Sequence, residues 1–232
     1  MLYDSGEGII DFRRKFFDNN ELLDCERVQN FIYQDFKKDE VAMELKGSQT
    51  EKNLLAAFAG ESQARNRYTY FASQARKDGY EQIAAIFEET ANQEKEHAKR
   101  EFKFLQGGDV EITAAFPAGV IGSTLENLKD AAGGEHYECT SMYPSFAETA
   151  QKEGFKEIAA FFRCVAVVEN RHRARFEALA KNLAEGLVFK RPKKVRWVCR
   201  NCGYVYEGAE ALKTCPLCQH PQSFSEIEAT NY

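Results

Sequence analysis

The chain has 232 residues, a formal net charge of −5 and 44% hydrophobic residues, which is typical of a soluble protein with one mid-sized domain and a smaller one. The acidic balance argues against nucleic acid as a partner. No apolar run approaches the ~20 residues that cross a bilayer, and Asp4 and Glu7 interrupt any apolar secretory signal. We therefore expect no membrane partner and a cytoplasmic location.

The seven cysteines are distributed unevenly along the chain. Four form two Cys-x-x-Cys pairs near the carboxyl end, and Cys25, Cys139 and Cys164 are scattered. In a chain without a secretory signal, this distribution favours one metal knuckle and stray thiols in a reducing compartment over a disulfide framework.

Residues 1–45 form a predicted N-terminal extension that is rich in charge and phenylalanine. Leu22, Leu23, Val28 and Phe31 recur at near-helical spacing, so a short amphipathic helix is expected. The segment is either an interaction arm or an accessory extension packed on the main domain. We favour the second, since termini are often weakly constrained. Met43 is a candidate alternative start.

Residues 46–188 form the predicted main domain, which begins with a capping box from Ser48 to Glu51. The patterns predict four helices at 49–77, 80–106, 123–152 and 155–185, the third bent near Gly133-Gly134 or Pro144. A long crossover over 109–122 joins two tight helical hairpins. The predicted fold is therefore mainly α, a ferritin-like four-helix bundle.

A pattern of carboxylate and histidine occurs twice, first as Glu94 with His97 and again as Glu169 with His172. The i, i+3 spacing places both side chains of each pair on one helix face. The surroundings repeat with the same offset along the chain, which indicates an internal duplication. The matched residues are Phe71, Ala72, Ala75, Lys77, Gly79, Ile83, Ala84, Ala85 and Phe87 in the first copy, and Phe146, Ala147, Ala150, Lys152, Gly154, Ile158, Ala159, Ala160 and Phe162 in the second.

Each copy follows a helix that carries another carboxylate, Glu61 in the first and Glu135 in the second. Two helices with a Glu and two with Glu-x-x-His are what a dinuclear site in a bundle requires. Carboxylate oxygens with imidazole nitrogens suit iron or manganese, and less often zinc. Any one glutamate alone would more often be a surface residue, but the matched set predicts metal ligands. They are Glu61, Glu94, His97, Glu135, Glu138, Glu169 and His172.

Glu138 breaks the symmetry, because Ala64 stands at the corresponding place in the first half. Ferric iron favours an anionic oxygen ligand, whereas ferrous iron tolerates neutral imidazole. We therefore expect one iron to take Glu138 when oxidised and His97 when reduced. Tyr68 and Tyr143 also correspond, and each either hydrogen-bonds a ligand carboxylate or bound oxygen species, or is an ordinary core tyrosine.

Residues 189–196 form a predicted basic linker, which either docks an acidic partner or, as we favour, is a solvated connector. Residues 197–232 are too few for an independent apolar core, so a metal must stabilise them. The spacing of the four cysteines predicts a tetrahedral site for zinc or a single iron. The aromatic residues Trp197, Tyr204 and Tyr206 favour iron, since they exclude water. The ligands are Cys199, Cys202, Cys215 and Cys218.

In combination, these motifs resemble the rubrerythrin family over about residues 45–232. The resemblance rests on Lys46 to Leu54, Phe58 to Tyr68, Glu94 to Arg100, Ala114 to Gly119, Gly134 to Glu138, Met142 to Phe146 and the rubredoxin-like Cys199 to Tyr204. The N-terminal extension has no counterpart in this resemblance.

The resemblance implies a non-haem diiron centre, an Fe(Cys)4 centre and a peroxidase that reduces hydrogen peroxide to water. It implies that Glu94 and Glu169 bridge the irons, that Glu61 with Glu138 or His97 binds one, and that Glu135 with His172 binds the other. Electrons would come from an NAD(P)H-linked reductase or rubredoxin, and the chain would form a homodimer or higher oligomer. We expect the catalytic residues to be Glu61, Glu94, His97, Glu138 and Tyr68.

Two alternatives to a peroxidase remain at this point. One is a ferroxidase or iron-handling protein on the same bundle, which would have no use for a fused electron carrier. The other is a non-enzymatic bundle whose structural zinc ribbon binds a partner.

Overall fold

The computed structural model describes residues 44–231, which belong to one compact unit. The first part is helical and the last part is a small sheet, which confirms the predicted mainly α fold with a C-terminal knuckle. None of the helices in this range combines the length and apolar character needed to cross a membrane. The helices are α1 (Gln49–Lys77), α2 (Glu81–Phe104), α3 (Thr124–Tyr137), α4 (Tyr143–Lys152) and α5 (Lys156–Ala184).

The helix before the hairpin turn ends in the same way in both halves of the repeat. Gly79 follows α1 with φ +85°, and Gly154 follows α4 with φ +83°. The next residue in each case donates its backbone N–H five residues back, Tyr80 to Ala75 at 2.8 Å and Phe155 to Ala150 at 2.8 Å. Glycine takes this left-handed conformation without steric cost, so each hairpin turns sharply and its helices lie antiparallel.

Matched hydrogen bonds tie each hairpin to the other one. The Asp78 carboxylate accepts from the backbone N–H and the hydroxyl of Thr124, at 2.9 and 2.6 Å. The Glu153 carboxylate accepts from the same two groups of Thr50, at 2.8 and 2.6 Å. Each carboxylate thus satisfies a free N–H at the start of a helix in the other half.

The core is aromatic at matched positions on either side of the bundle centre. Tyr68 packs against Phe87 and Phe176, with ring centroids 6.0 and 5.3 Å apart. In the other half, Tyr143 packs against Phe162 at 5.8 Å. All five rings are almost fully buried, so they exclude water from the polar centre between them.

A π-helical turn, Glu138–Met142, separates α3 from α4. Tyr143 donates its N–H to Glu138, five residues back, instead of four. The single helix predicted over 123–152 is therefore interrupted by this turn, just before Pro144. Proline has no N–H and its ring crowds the carbonyl four residues earlier, which favours the wider turn there.

The C-terminal sheet has the strand order β2-β1-β3, with both pairs antiparallel. The strands are β1 (Lys190–Cys199), β2 (Val205–Glu210) and β3 (Ser225–Ile227), the last preceded by a 3-10 turn at Gln222–Phe224. The sheet holds the buried Trp197, whose indole N–H donates to the Gly208 carbonyl at 3.0 Å.

Most of the predicted basic linker is the first part of β1. Lys190 pairs with Glu210 and Val195 with Gly208, and the register is irregular between them. The exposed Lys193 and Lys194 lie in this irregular stretch. A run of basic residues therefore predicted solvent exposure but not backbone conformation. The division into domains at 45, 188 and 196 stays a prediction.

Candidate metal centre

Four helices place carboxylates and imidazoles at the centre of the bundle. Helix α1 contributes Glu61 and α3 contributes Glu135, whereas α2 and α5 each contribute a Glu and a His one turn apart. The four glutamates that these helices provide are at most 1% exposed. The candidate ligand atoms fall into two sets, each within 4.8 Å: Glu61, Glu94, His97 and Glu169, and Glu94, Glu135, Glu169 and His172.

Glu94 and Glu169 belong to both sets, and each presents one oxygen to either side. Glu94 Oε2 lies 2.9 Å from His97 Nδ1, and its Oε1 lies 3.1 Å from His172 Nδ1. Glu169 Oε1 lies 3.0 Å from His97 Nδ1, and its Oε2 lies 2.7 Å from His172 Nδ1. This is the arrangement of two carboxylates that bridge a pair of cations.

The donor set fits two metal ions. Both oxygens of Glu94 and of Glu169, one oxygen of Glu61 and of Glu135, and Nδ1 of both histidines are buried. Despite the short distances between them, none of these atoms has a hydrogen bond of normal geometry among the described residues. Burying several carboxylates without compensating charge would cost far more than a fold can offset. Burial opposes a charged imidazole, but the carboxylates around His172 raise its pKa to about 12. The cluster thus attracts positive charge strongly, as a dinuclear cation site must.

Two buried tyrosines are hydrogen-bonded to Glu135 and Glu61, the two carboxylates that each belong to only one ligand set. The Tyr68 hydroxyl donates to Glu135 Oε1 at 2.5 Å, and the Tyr143 hydroxyl is hydrogen-bonded to Glu61. The structure therefore favours the ligand-orienting role over that of an ordinary core tyrosine for both residues. Burial and the neighbouring carboxylates raise the pKa of each phenol well above its usual value, so both remain neutral donors.

Glu138 lies beside the cluster but outside both ligand sets. Burial, together with the charges of Glu135 and Glu61, raises its pKa well above that of an ordinary carboxyl. Its side chain is half-buried and lines a cavity of about 960 Å³ between α1 and residues 109–117. Glu138 is therefore the predicted site residue that lies between the cluster and a solvent-accessible cavity. Its role as a ligand stays a prediction, as do the roles of the other site residues.

Two polar residues that contact the site residues were not predicted from the sequence. The fully buried Glu101 lies with Oε1 3.0 Å from the Tyr143 hydroxyl. Burial and the charge of Glu61 raise its pKa well above the ordinary value. Gln93 Oε1 lies 2.8 Å from His172 Nε2. Both residues lie on the inner face of α2, near Glu94 and His97, and this helical spacing could have indicated their contact with the site.

The four knuckle cysteines converge on one point. Sγ atoms lie 3.7 Å apart for Cys199 and Cys218, and 3.6 Å apart for Cys202 and Cys215. These distances are far too long for disulfides. They match the ~3.8 Å edge of a tetrahedron of thiolates around an ion at about 2.3 Å. A backbone N–H from His220 lowers the pKa of Cys218, which favours the thiolate that a metal needs.

Beside Glu138, Cys139 is a buried thiol rather than a reactive one. Its S–H donates to the His136 carbonyl at 3.4 Å, and burial raises its pKa to about 11. A protonated, inaccessible thiol is a poor nucleophile, which agrees with the expectation that Cys139 is a stray thiol.

Two family models match the chain at these two sites. The one described as Rubrerythrin matches residues 52–180, and the one described as Rubrerythrin, rubredoxin-like domain, matches residues 197–225. The first contains all the predicted carboxylate and histidine ligands, and the second contains all four knuckle cysteines. The family thus accounts for both a diiron carboxylate site and an iron–cysteine site.

Known relatives are similar over most of the chain. A rubrerythrin from Porphyromonas gingivalis is 61% identical over 84% of this chain and 98% of its own length. One from Nitratidesulfovibrio vulgaris is 59% identical over 81% of this chain and 98% of its own length. The structure of fully reduced, all-ferrous nigerythrin superimposes with a TM-score of 0.53 at 34% identity, over 84% of this chain and 91% of that one. These matches confirm the predicted resemblance, and the chain belongs to the rubrerythrin family.

Proposed function

We propose that the chain is a peroxidase that reduces hydrogen peroxide to water with electrons relayed through the cysteine knuckle. The observation that carries this proposal is that a dinuclear carboxylate cluster and a four-thiolate site occur in one compact unit. A protein that only stores or oxidises iron has no use for a fused one-electron carrier. A structural zinc ribbon would not require a cluster of buried carboxylates.

The reaction consumes one hydrogen peroxide, two electrons and two protons, and yields two water molecules. Two irons held at the cluster would supply one electron each, so the O–O bond can be cleaved without release of a radical. The chain's own part is to hold both cations in fixed positions. Glu94 and Glu169 span the two positions, and the hydroxyls of Tyr68 and Tyr143 hold Glu135 and Glu61 in their orientations.

Access to the cluster is controlled by the shape of the bundle. The rings of Phe87, Phe162 and Phe176 are fully buried and exclude water from the ends of the cluster. The cavity beside residues 109–117 reaches Glu138. A small polar molecule such as hydrogen peroxide would therefore enter by this cavity and meet Glu138 first.

The position of the knuckle favours a homodimer. Residues of the C-terminal segment contact the beginning of α2, where Tyr80 stacks on Phe189 at 5.9 Å and Ser223 approaches Gly79. Glu94 lies almost four helical turns further along α2, about 20 Å away. The C-terminal segment of the same chain thus contacts α2 at the end that is far from Glu94. A second subunit that brings its knuckle closer to the cluster would shorten the path.

Metal analysis joined to anaerobic peroxide turnover tests the proposal. The purified protein should contain about three irons, absorb visible light through iron–thiolate bonds, and consume peroxide when a reduced rubredoxin or reductase is supplied. Cys218→Ser should abolish donor-supported turnover while leaving two irons at the cluster. A colourless knuckle that holds zinc would exclude the relay. Iron oxidation that accumulates a mineral core without peroxide consumption would instead indicate an iron-handling protein.

A further inference from the structure

A chain of hydrogen bonds fixes the ring of His172 from outside the cluster. Arg175 Nη1 donates to Glu89 Oε1 at 2.9 Å, and Gln93 Nε2 donates to the same oxygen at 3.3 Å. Gln93 Oε1 then lies 2.8 Å from His172 Nε2. The four side chains come from α5 and α2, so the contact spans the interface of the two helices that carry the Glu-x-x-His pairs.

This chain determines which ring nitrogen of His172 faces the metal. The Arg175 hydrogen bond lowers the pKa of Glu89, so Glu89 is a carboxylate that only accepts hydrogen bonds. The amide NH2 of Gln93 must therefore face Glu89, and its oxygen must face His172. Nε2 of His172 therefore keeps its proton as the donor to Gln93, and Nδ1, which faces Glu94 and Glu169, is the nitrogen that loses its proton when a metal binds. His172 is held in the tautomer and the orientation of a permanent ligand.

The residue types that form this chain are not repeated in the other half. With the offset that relates Glu94 to Glu169, Arg175 corresponds to Arg100, Glu89 to Cys164 and Gln93 to Val168. Arg100 instead pairs with Glu157 and lies over the ring of Phe104. A valine side chain cannot accept a hydrogen bond from an imidazole.

The ring of His97 is correspondingly less constrained than that of His172. Within residues 44–231, no hydrogen bond to His97 Nε2 accompanies the contacts of its Nδ1 with the cluster. The His97 side chain is 15% exposed, whereas that of His172 is 3% exposed. The extra carboxylate, Glu138, is also on the His97 side in the ligand sets that we expect.

We propose that Gln93 is a positioning residue that keeps the His172 ring at its metal position. Val168, at the equivalent place in the other half, offers no such hydrogen bond, so the His97 ring can move away from its metal position. The pair thus decides which metal position exchanges an imidazole for the Glu138 carboxylate. Only one part of this inference rests on the proposed function, namely the exchange of the His97 imidazole for the Glu138 carboxylate. The restraint on His172 is a property of metal binding and applies whatever the reaction is.

The role of Gln93 is tested by ferrous iron titration of the full-length, iron-depleted protein. Gln93→Val copies the other half and removes the acceptor for His172. We expect one of the two cluster ions to bind about ten- to hundredfold more weakly, the usual effect of losing an outer partner of a ligand histidine. Asn92→Val, on the outer face of the same helix, is the control for the change from amide to valine. Equal affinities in the two variants would overturn the role of Gln93.

The role of Val168 is tested by rebuilding the hydrogen-bond chain in the other half. Cys164→Glu together with Val168→Gln offers Arg100 a carboxylate and His97 an amide oxygen. In crystal structures of the iron-loaded protein, His97 should then stay at the metal in both oxidation states. Cys164→Glu alone, which lacks the amide, should still show the exchange.

The two results separate the inference from the proposed peroxidase function. A His97 ring that still leaves in the rebuilt variant would overturn the role of Val168. Identical ligands in both oxidation states of the parent protein would overturn it as well. A protein that fails to reduce peroxide, but in which Gln93→Val weakens one iron, would refute the peroxidase and support the restraint on His172.

Discussion

Glu101 and Phe176 occupy equivalent positions in the two halves of the repeat, but they contact their tyrosines through different chemistry. Phe176 packs edge-on against Tyr68, with ring centroids 5.3 Å apart. Glu101 instead lies 3.0 Å from the Tyr143 hydroxyl, in a place with no exposure to solvent. That hydroxyl has one proton and faces two carboxyl groups, Glu61 and Glu101. The Tyr143 hydroxyl can donate to only one of them, so a proton on Glu101 supplies the second hydrogen bond. This agrees with the raised pKa of Glu101.

Glu101→Gln should stabilise the metal-free protein increasingly as pH rises. An unfolded glutamate titrates near pH ~4.3, but the folded pKa of Glu101 is raised, mainly by burial. Above the pKa of the unfolded chain, Glu101 is protonated in the folded state but ionised in the unfolded state. The contribution of Glu101 to stability therefore falls as the pH rises. Glutamine keeps the hydrogen bond without titrating. Urea unfolding of both proteins at several pH values, with the exposed Glu148→Gln as control, measures the difference; a constant difference would refute the protonated form.

Thr50→Val and Thr124→Val should destabilise the bundle by similar amounts, about 1 kcal/mol each, because each removes one hydroxyl hydrogen bond to a carboxylate in the other half. The backbone hydrogen bonds to the same carboxylates remain. The two sites are on opposite hairpins, so the double variant should lose close to the sum. Urea denaturation of the three variants measures this, and strongly unequal single losses would argue against equivalent anchors.

Glu94→Ala and Glu169→Ala should each lose most of the cluster iron, since each residue presents an oxygen to both imidazoles. The knuckle ligands belong to a separate sheet, so the visible absorbance of the iron–thiolate site should persist. Iron content measured alongside the absorbance spectrum tests both parts. If either variant also bleached the knuckle, the two sites would not be independent.

Glu138→Ala should still bind two irons but turn over peroxide more slowly, because the oxidised protein would lose the anionic ligand that we expect Glu138 to provide. His97→Ala should instead impair re-reduction, since the ferrous ion loses its imidazole. Stopped-flow measurement of oxidation by peroxide and of re-reduction by the donor separates the two steps. Equal effects of both variants on both steps would contradict an exchange between these two ligands.

The family, the four-helix fold and the set of metal cofactors could all be predicted from the sequence. Each depends on spacing along the chain: i, i+3 for Glu-x-x-His, two residues between paired cysteines, and a constant offset between the two copies of the repeat. The π-helical turn could also have been predicted from the sequence, because the spacing between matched residues changes by one across it. The offset from Glu61 to Glu135 is one residue shorter than the offset from Tyr68 to Tyr143. The additional residue is absorbed by the turn at Glu138–Met142.

Contacts between helices are a different matter, because a helical period places a residue on a face but does not determine which atom of the facing helix it meets. Sequence alone determined that α2 and α5 carry Glu-x-x-His pairs on matched faces. Only the tertiary structure decided that Gln93 faces His172 and that Glu101 shares a hydroxyl with Glu61. Those contacts depend on small differences in distance across packed helices, which are set by the side chains of the whole core.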